Sequence, residues 1–160
     1  MTMRAADQKL SAHPFVFGMS EQDVGLLADC SMLVEFAKRA TIFRQGEEAN
    51  RVYLIEMGAV AMESLVGSRR VVTETVHSGE LLGLSWLFPP HKWRVTARAC
   101  EPTSAIALNG PLLRKYAEKD DTLGYELHKR FAEVMTRRFQ SMRERFLAAL
   151  TGEGEPPACE

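Results

Sequence analysis

The sequence predicts an α+β fold that is mainly β: an antiparallel β-roll, or double-stranded β-helix of jelly-roll type, with helices at the N-terminus and a long helix at the C-terminus. Short β-rich runs separated by turn residues fill positions 32–109, and helical spacing of apolar residues both precedes and follows them. A chain of 160 residues that is 46% hydrophobic is long enough for one domain with its own core.

The N-terminal part predicts short helices. Residues 1–12 form an expected helical extension, residues 13–150 the main domain, and residues 151–160, rich in Gly, Glu and Pro, an expected disordered tail. Ser20 is a suitable N-cap for a helix beginning at Glu21, in which Val24 and Leu27 lie on one face.

The central part predicts strands, because its apolar runs are short and bounded by turn residues such as Gly46, Gly58 and Gly79. The predicted strands are Met32–Phe36, Thr41–Arg44, Val52–Met57, Val60–Val66, Arg70–Val76, Trp93–Cys100 and Thr103–Leu108. Pro89 and Pro90 cannot donate backbone hydrogen bonds to a sheet, so residues 81–92 are expected to interrupt it as a loop with a short helix.

The C-terminal part predicts a short helix and then one long helix, with Asp120 or Asp121 as its N-cap. Nine apolar residues of this long helix recur at steps of three and four: Leu123, Leu127, Phe131, Val134, Met135, Phe139, Met142, Phe146 and Leu150. About 30 residues give a helix of about 40 Å, which is longer than one small domain can cover. A homodimer is therefore expected, with an interface formed by Leu123, Leu127, Phe131, Val134, Met135, Arg138 and Met142.

Three segments carry a resemblance to a known family. They are residues 42–47 (IFRQGE), residues 52–58 (VYLIEMG) and residues 79–99, which run from a glycine-bounded turn through Pro-Pro to a β-rich exit. In order and spacing they resemble the cyclic nucleotide-binding domains of catabolite activator proteins, kinase regulatory subunits and gated channels, over residues 13–150. Gly46 and Gly58 match two turn glycines of that family, and Arg39 stands where an earlier one is usual.

The resemblance implies a phosphate-binding cassette from Gly83 to Ala99 that departs from the family pattern. Members usually carry a glutamate directly after the cassette glycine and an arginine near the cassette end, where this chain has Leu84 and Trp93. The implied ligand-binding residues are Gly83, Leu84, Ser85, Trp86, Trp93, Arg94, Val95 and Thr96. Losing two charged hydrogen bonds weakens cyclic nucleotide binding, since each contributes about 1.5–3 kcal/mol.

Two interpretations of this cassette stay open. In the first, the chain is a sensor domain for a small anionic ligand, either cAMP-like or non-standard; Arg94 replaces the missing arginine or Trp93 stacks on a ligand ring. In the second, Trp86, Leu87, Phe88 and Trp93 plug the pocket, and the domain is a ligand-free interaction and dimerisation scaffold. No other cofactor is expected.

Other functional classes are disfavoured. The sequence around Ser85 lacks the second glycine of a nucleophile elbow, so no catalytic residue is predicted, and the His and Cys spacing predicts no metal site. A net charge of −1 provides no general attraction to nucleic acid, and Arg137, Arg138, Arg143 and Arg145 are interpreted as a solvated helix face.

The two ends of the sequence carry further expectations. Only about ten residues follow Leu150, too few for a helix-turn-helix, so direct DNA binding is not expected. The absence of a signal-peptide core or an apolar span predicts a cytoplasmic protein that does not enter the membrane. The expected output is a protein contact through the long helix, with a second copy or a separate effector.

Overall fold

The structure is a computed structural model that describes residues 4–152. These residues form four α-helices, α1 (Ala5–Ser11), α2 (Glu21–Asp29), α3 (Gly110–Lys119) and α4 (Asp121–Thr151), and a 3-10 helix at Pro14–Val16. Their eight strands are β1 (Ser31–Phe36), β2 (Thr41–Phe43), β3 (Arg51–Met57), β4 (Ala59–Val66), β5 (Arg69–His77), β6 (Leu81–Leu82), β7 (Thr96–Ala99) and β8 (Thr103–Asn109). The predicted fold class is confirmed. The expected disorder of the tail lies largely outside the described residues, and α4 continues to Thr151.

The strands form two four-stranded antiparallel sheets, in the orders β1-β8-β3-β6 and β2-β7-β4-β5. Consecutive strands alternate between the sheets at several points, as in a roll. Side chains from both sheets, such as Leu54 and Val60, share one buried cluster with α3 and α4. The strands β6 and β7 belong to different sheets, so the segment between them crosses from one sheet to the other.

The segment between β6 and β7 differs from the prediction in two ways. Leu81–Leu82 pairs with β3, where an interruption was predicted, and β7 begins at Thr96 instead of Trp93. The expected short helix is a single turn, in which the Leu87 N–H donates to the Leu84 carbonyl at 3.1 Å. Pro89 and Pro90 lack the N–H groups needed to continue a helix.

Backbone pairing replaces that helix. The Ala49 N–H donates to the carbonyl of His91 at 2.7 Å, the Trp93 N–H donates to Glu47 at 2.9 Å, and the Gly46 N–H donates to Trp93 at 2.8 Å. The segment is therefore anchored to the turn after β2, far away in sequence.

Arg39 adopts a left-handed backbone conformation, with φ of 73°. This conformation favours glycine, because the Cβ of other residues crowds the backbone there. The turn at this position thus retains the geometry for which the family pattern uses glycine.

Two predicted caps are confirmed and explain where α2 and α4 begin. The Ser20 hydroxyl accepts from the Asp23 N–H at 3.1 Å, and the Asp120 carboxylate accepts from Thr122 and Leu123 at 3.0 and 3.1 Å. Both satisfy backbone N–H groups that have no partner inside the helix.

The helix α4 is divided into two parts. Leu123, Leu127, Phe131 and Val134 are buried within the chain, whereas the large apolar residues from Met135 onward are exposed. Four residues of the predicted dimer interface are thus already covered by their own domain. No helix within residues 4–152 has the length and apolar character needed to span a bilayer.

Candidate ligand site

The start of the cassette is occupied by Trp93. Gly83 has φ of +98°, and a Cβ built on it would lie 2.8 Å from Cη2 of the Trp93 indole. Real Cβ atoms do not approach other atoms so closely, so the ring lies directly against the glycine backbone. Gly83 therefore permits both the turn and the close approach of this ring.

Trp93 belongs to a row of aromatic side chains. Its ring stacks on Phe43 with centroids 3.7 Å apart and an interplanar angle of 9°, and only 5% of the residue is exposed. Phe43 is 6.3 Å from Tyr53, which contacts Phe36 edge-on at 6.0 Å. This row fills the space beside Gly83 with the chain's own atoms.

Trp86 is fully buried and connects the cassette to the helices. Its ring meets Phe131 of α4 edge-on at 5.5 Å, and the Arg114 guanidinium of α3 lies 5.9 Å from its centroid. Arg114 also donates to the Trp86 carbonyl. The indole Nε1 is buried and has no hydrogen-bond partner among the described residues. Trp86 thus fixes the cassette to α3 and α4 by packing.

The remaining predicted ligand residues differ in their exposure. Leu84 and Val95 are half-buried and pack against the core, and Ser85 is half-buried. The Thr96 hydroxyl accepts from the Gln45 N–H at 3.1 Å, and Arg94 is exposed. The structure therefore brings Gly83 and Trp93 into contact, while Arg94 lies at the surface.

A cleft that sequence reasoning missed lies between β5 and α4. Its volume is about 530 Å³, and its lining includes Glu74 and Thr75 of β5, Leu81 next to the cassette, and Arg138 and Arg145 of α4. The arginine cluster was the available signal, but it was interpreted as a solvated face. That interpretation is wrong for Arg138, which is largely buried.

An ion pair within this cleft joins α4 to β5. The Arg138 Nε lies 3.3 Å from the Glu74 Oε1, and Arg138 also donates to the Leu81 carbonyl. Burial lowers the pKa of Arg138, while Glu74 and Glu80 raise it. Burial raises the pKa of the Glu74 carboxyl, although Arg138 and Arg145 act to lower it. Arg138 thus connects α4 to Glu74 of β5 and to Leu81, two residues before Gly83.

Two polar atoms lining the cleft have no partner. The Thr75 Oγ1 and Arg145 Nε are buried and form no hydrogen bond within the described part of the chain. Buried polar groups are almost always hydrogen-bonded, so these two residues of the cleft lining each carry a donor that still lacks an acceptor. No group of three or more His, Cys, Asp or Glu side chains within residues 4–152 could hold a metal ion.

Several solved structures share this fold. A cyclic nucleotide-binding domain from Methylobacillus flagellatus is 19% identical with a TM-score of 0.80, covering 90% of this chain and 85% of that one. The sensor domain of the transcriptional regulator DNR from Pseudomonas aeruginosa is 22% identical with a TM-score of 0.64, covering 82% and 91%. The regulatory domain of Toxoplasma gondii PKA with cAMP is 20% identical with a TM-score of 0.66, covering 80% and 49%.

The family follows from a match over residues 33–120, more than half of the chain, to the model of the cyclic nucleotide-binding domain. No curated protein matches. The matched residues contain β1 without its first two residues, the other seven strands, the cassette and all of α3. This chain belongs to the cyclic nucleotide-binding domain family.

Proposed function

We propose that this chain is a non-catalytic regulatory domain that forms a homodimer through the C-terminal half of α4 and responds to a small anionic molecule at the boundary between the roll and that helix. The observation that carries the proposal is the division of α4, whose first half is packed on the roll while its second half presents exposed apolar side chains.

The contacts of α4 with the cassette and its neighbourhood support a coupling between the proposed ligand response and the proposed dimer interface. Phe131 touches Trp86 inside the cassette, and Arg138 binds the carbonyl of Leu81 just before it. A ligand that shifts the cassette or β5 would therefore change how α4 packs on the roll. The same helix then carries the change to whatever binds its exposed half.

The exposed half of α4 has the pattern of a coiled-coil seam. Met135, Phe139, Met142 and Phe146 recur at alternating steps of four and three, a repeat of 3.5 residues. Phe139 is 67% exposed and Phe146 is 62% exposed, so these large rings lie in solvent in a single chain. A second copy of α4 would cover them. Of the residues first predicted for the interface, Met135 and Met142 remain in it.

The dimer is tested by sedimentation equilibrium at micromolar concentration. We expect a dimer mass for the natural chain and a monomer mass for Phe139→Lys/Phe146→Lys, because two charges would be buried in the seam. Tyr125→Lys is the matched control, since Tyr125 is 68% exposed on the other half of α4, and it should remain dimeric. A monomeric natural chain, or a dimeric double variant, would contradict the proposal.

The response to a ligand is tested on the purified dimer by calorimetry with cAMP, cGMP and cyclic dinucleotides and by mass spectrometry of extracted material. Any bound small anion that changes the dimer constant supports the proposal. If every titration is flat and nothing is extracted, the regulatory role loses its basis.

The second candidate function is a ligand-free interaction scaffold. The stacking of Trp93 on Phe43 favours it, because the cassette is then filled by the chain itself. This candidate requires the dimer but no ligand, so it survives the flat titrations that refute the first. It fails if a specific small molecule changes the dimer constant.

A further inference from the structure

We propose that the cleft between β5 and α4, and not the cassette, binds the anionic group of the ligand, a small molecule bearing one phosphate or carboxylate. Arg145, Thr75 and Arg137 would hold that group. The inference rests on the proposed function and names the site through which it acts.

The charges of the cleft leave an excess of positive charge. Its titratable lining consists of Glu74, Glu80, His77 and three arginines, Arg137, Arg138 and Arg145. Glu74 is paired with Arg138 at 3.3 Å, which leaves Arg137 and Arg145 against the exposed Glu80. With the histidine counted as uncharged, the sum is one positive charge, which matches a carboxylate or a phosphodiester, each with a single negative charge.

The unpartnered atoms indicate where that charge would be bound. The Arg145 Nε and the Thr75 Oγ1 come from opposite walls, one from α4 and one from β5, and both are buried. An N–H and an O–H without acceptors each cost free energy, and the cost is larger for a charged donor. If the two side chains turn toward the cleft, an oxyanion between the walls would accept from both, and a guanidinium is well suited to phosphate or carboxylate.

The size and the apolar lining favour an organic molecule over a bare ion. A volume of about 530 Å³ lies within the range of small-molecule pockets, roughly 300–1,000 Å³. Leu81 and Val134 line the same cleft and would cover the apolar body of the ligand. Leu81 lies just before the cassette, and Val134 is the last buried residue of α4, so a ligand between them would touch both segments.

The cassette is a poor alternative for the anion. The Trp93 ring lies against Gly83, and the glutamate position after it holds the apolar Leu84. An anion placed there would meet apolar atoms and lose hydration without new partners. The cleft offers the cationic donors that the cassette has lost.

The test is calorimetric titration with inorganic phosphate and with acetate, at ionic strength held constant with chloride. The variants are Arg145→Gln and, as matched control, Arg143→Gln, because Arg143 is an exposed arginine of the same helix outside the cleft lining. We expect binding of at least one of the two anions, weakened about ten- to a hundredfold by Arg145→Gln and unchanged in the control. Phosphate and acetate together show which oxyanion the cleft prefers.

Two outcomes would overturn the inference: neither anion binds better than chloride, or Arg145→Gln binds within twofold of the natural chain. Circular dichroism and urea unfolding in chloride verify that each variant is folded. Sedimentation of the same samples separates this test from the proposed function. If the natural chain is a dimer but binds neither anion, only the anion site in the cleft is refuted. If the natural chain is a monomer but binds phosphate, only the dimer is refuted.

Discussion

The substitution Trp93→Ala removes the ring that fills the cassette, and its cost can be worked from the structure. Trp93 is 5% exposed, and emptying a buried aromatic site costs about 3–5 kcal/mol in free energy of unfolding. The stack on Phe43, at 3.7 Å, is of the kind that adds about 0.5–1.5 kcal/mol beyond area burial. A loss of about 4 kcal/mol is therefore expected.

Urea unfolding followed by circular dichroism measures this loss of free energy. Thermal unfolding provides a second measurement: for a domain of this size, 1 kcal/mol shifts Tm by about 2–4 °C, so Tm should fall by about 8–16 °C. Phe88→Ala is the matched control, because Phe88 lies in the same loop but is 53% exposed, and its removal should cost less than about 1 kcal/mol. A loss below about 1 kcal/mol for Trp93→Ala would refute the filled cassette.

Three further predictions test the cassette and the N-terminal helices. Leu84→Glu/Trp93→Arg restores the family's two charged residues, so calorimetry should detect stronger cAMP binding than in the natural chain, where the filled cassette is expected to prevent it. No gain would contradict the filled-cassette account. Gly83→Ala should cost more stability in the natural chain than in the Trp93→Ala variant, because the new Cβ would lie 2.8 Å from the indole. Equal costs in this double-mutant cycle would exclude that contact. His13 is buried, with Nδ1 accepting from the Phe15 N–H and Nε2 donating to a carbonyl, and burial lowers its pKa below 6.5. The unfolded chain therefore takes up the proton at a higher pH than the folded chain, so stability is lost as pH falls below about 6.5, by at most about 1.4 kcal/mol per pH unit. In urea unfolding between about pH 5 and 8, His13→Asn should flatten the dependence of stability on pH. An unchanged slope would exclude His13 as its source.

Local signals in the sequence predicted much of the fold. Ser20 and Asp120 cap their helices through residues two or three positions away, and glycines mark the turns between strands. Such features depend on neighbours in the chain, so a single sequence contains them. The order of the elements and the length of α4 follow from the same kind of periodicity.

The side chains that occupy the candidate site are placed by contacts between residues distant in sequence, and these positions were predicted less well. Trp93 was expected in a strand, but its backbone pairs with Gly46 and Glu47, which places the indole against Gly83. The sequence offered both a plugging and a stacking role for this ring and contained no local signal to choose between them. Only the crossing of the chain from one sheet to the other decides its position.

The helix α4 shows the same limit. Its apolar face is continuous in the sequence, and periodicity alone does not show where the domain ends and the exposed part begins. Phe131 is buried against Trp86 and Phe15, while Phe139, two turns later, is exposed. Likewise, Arg138 was grouped with its charged neighbours, although it reaches Glu74 across the cleft.

The central claim is that Trp93 closes the phosphate cassette of this family member. The most direct measurement is calorimetric titration of the purified natural chain with cAMP and cGMP. The filled cassette predicts no heat of binding, with Kd above about 1 mM, weaker than about −4 kcal/mol. A micromolar Kd for either nucleotide, with no competition from inorganic phosphate, would contradict it.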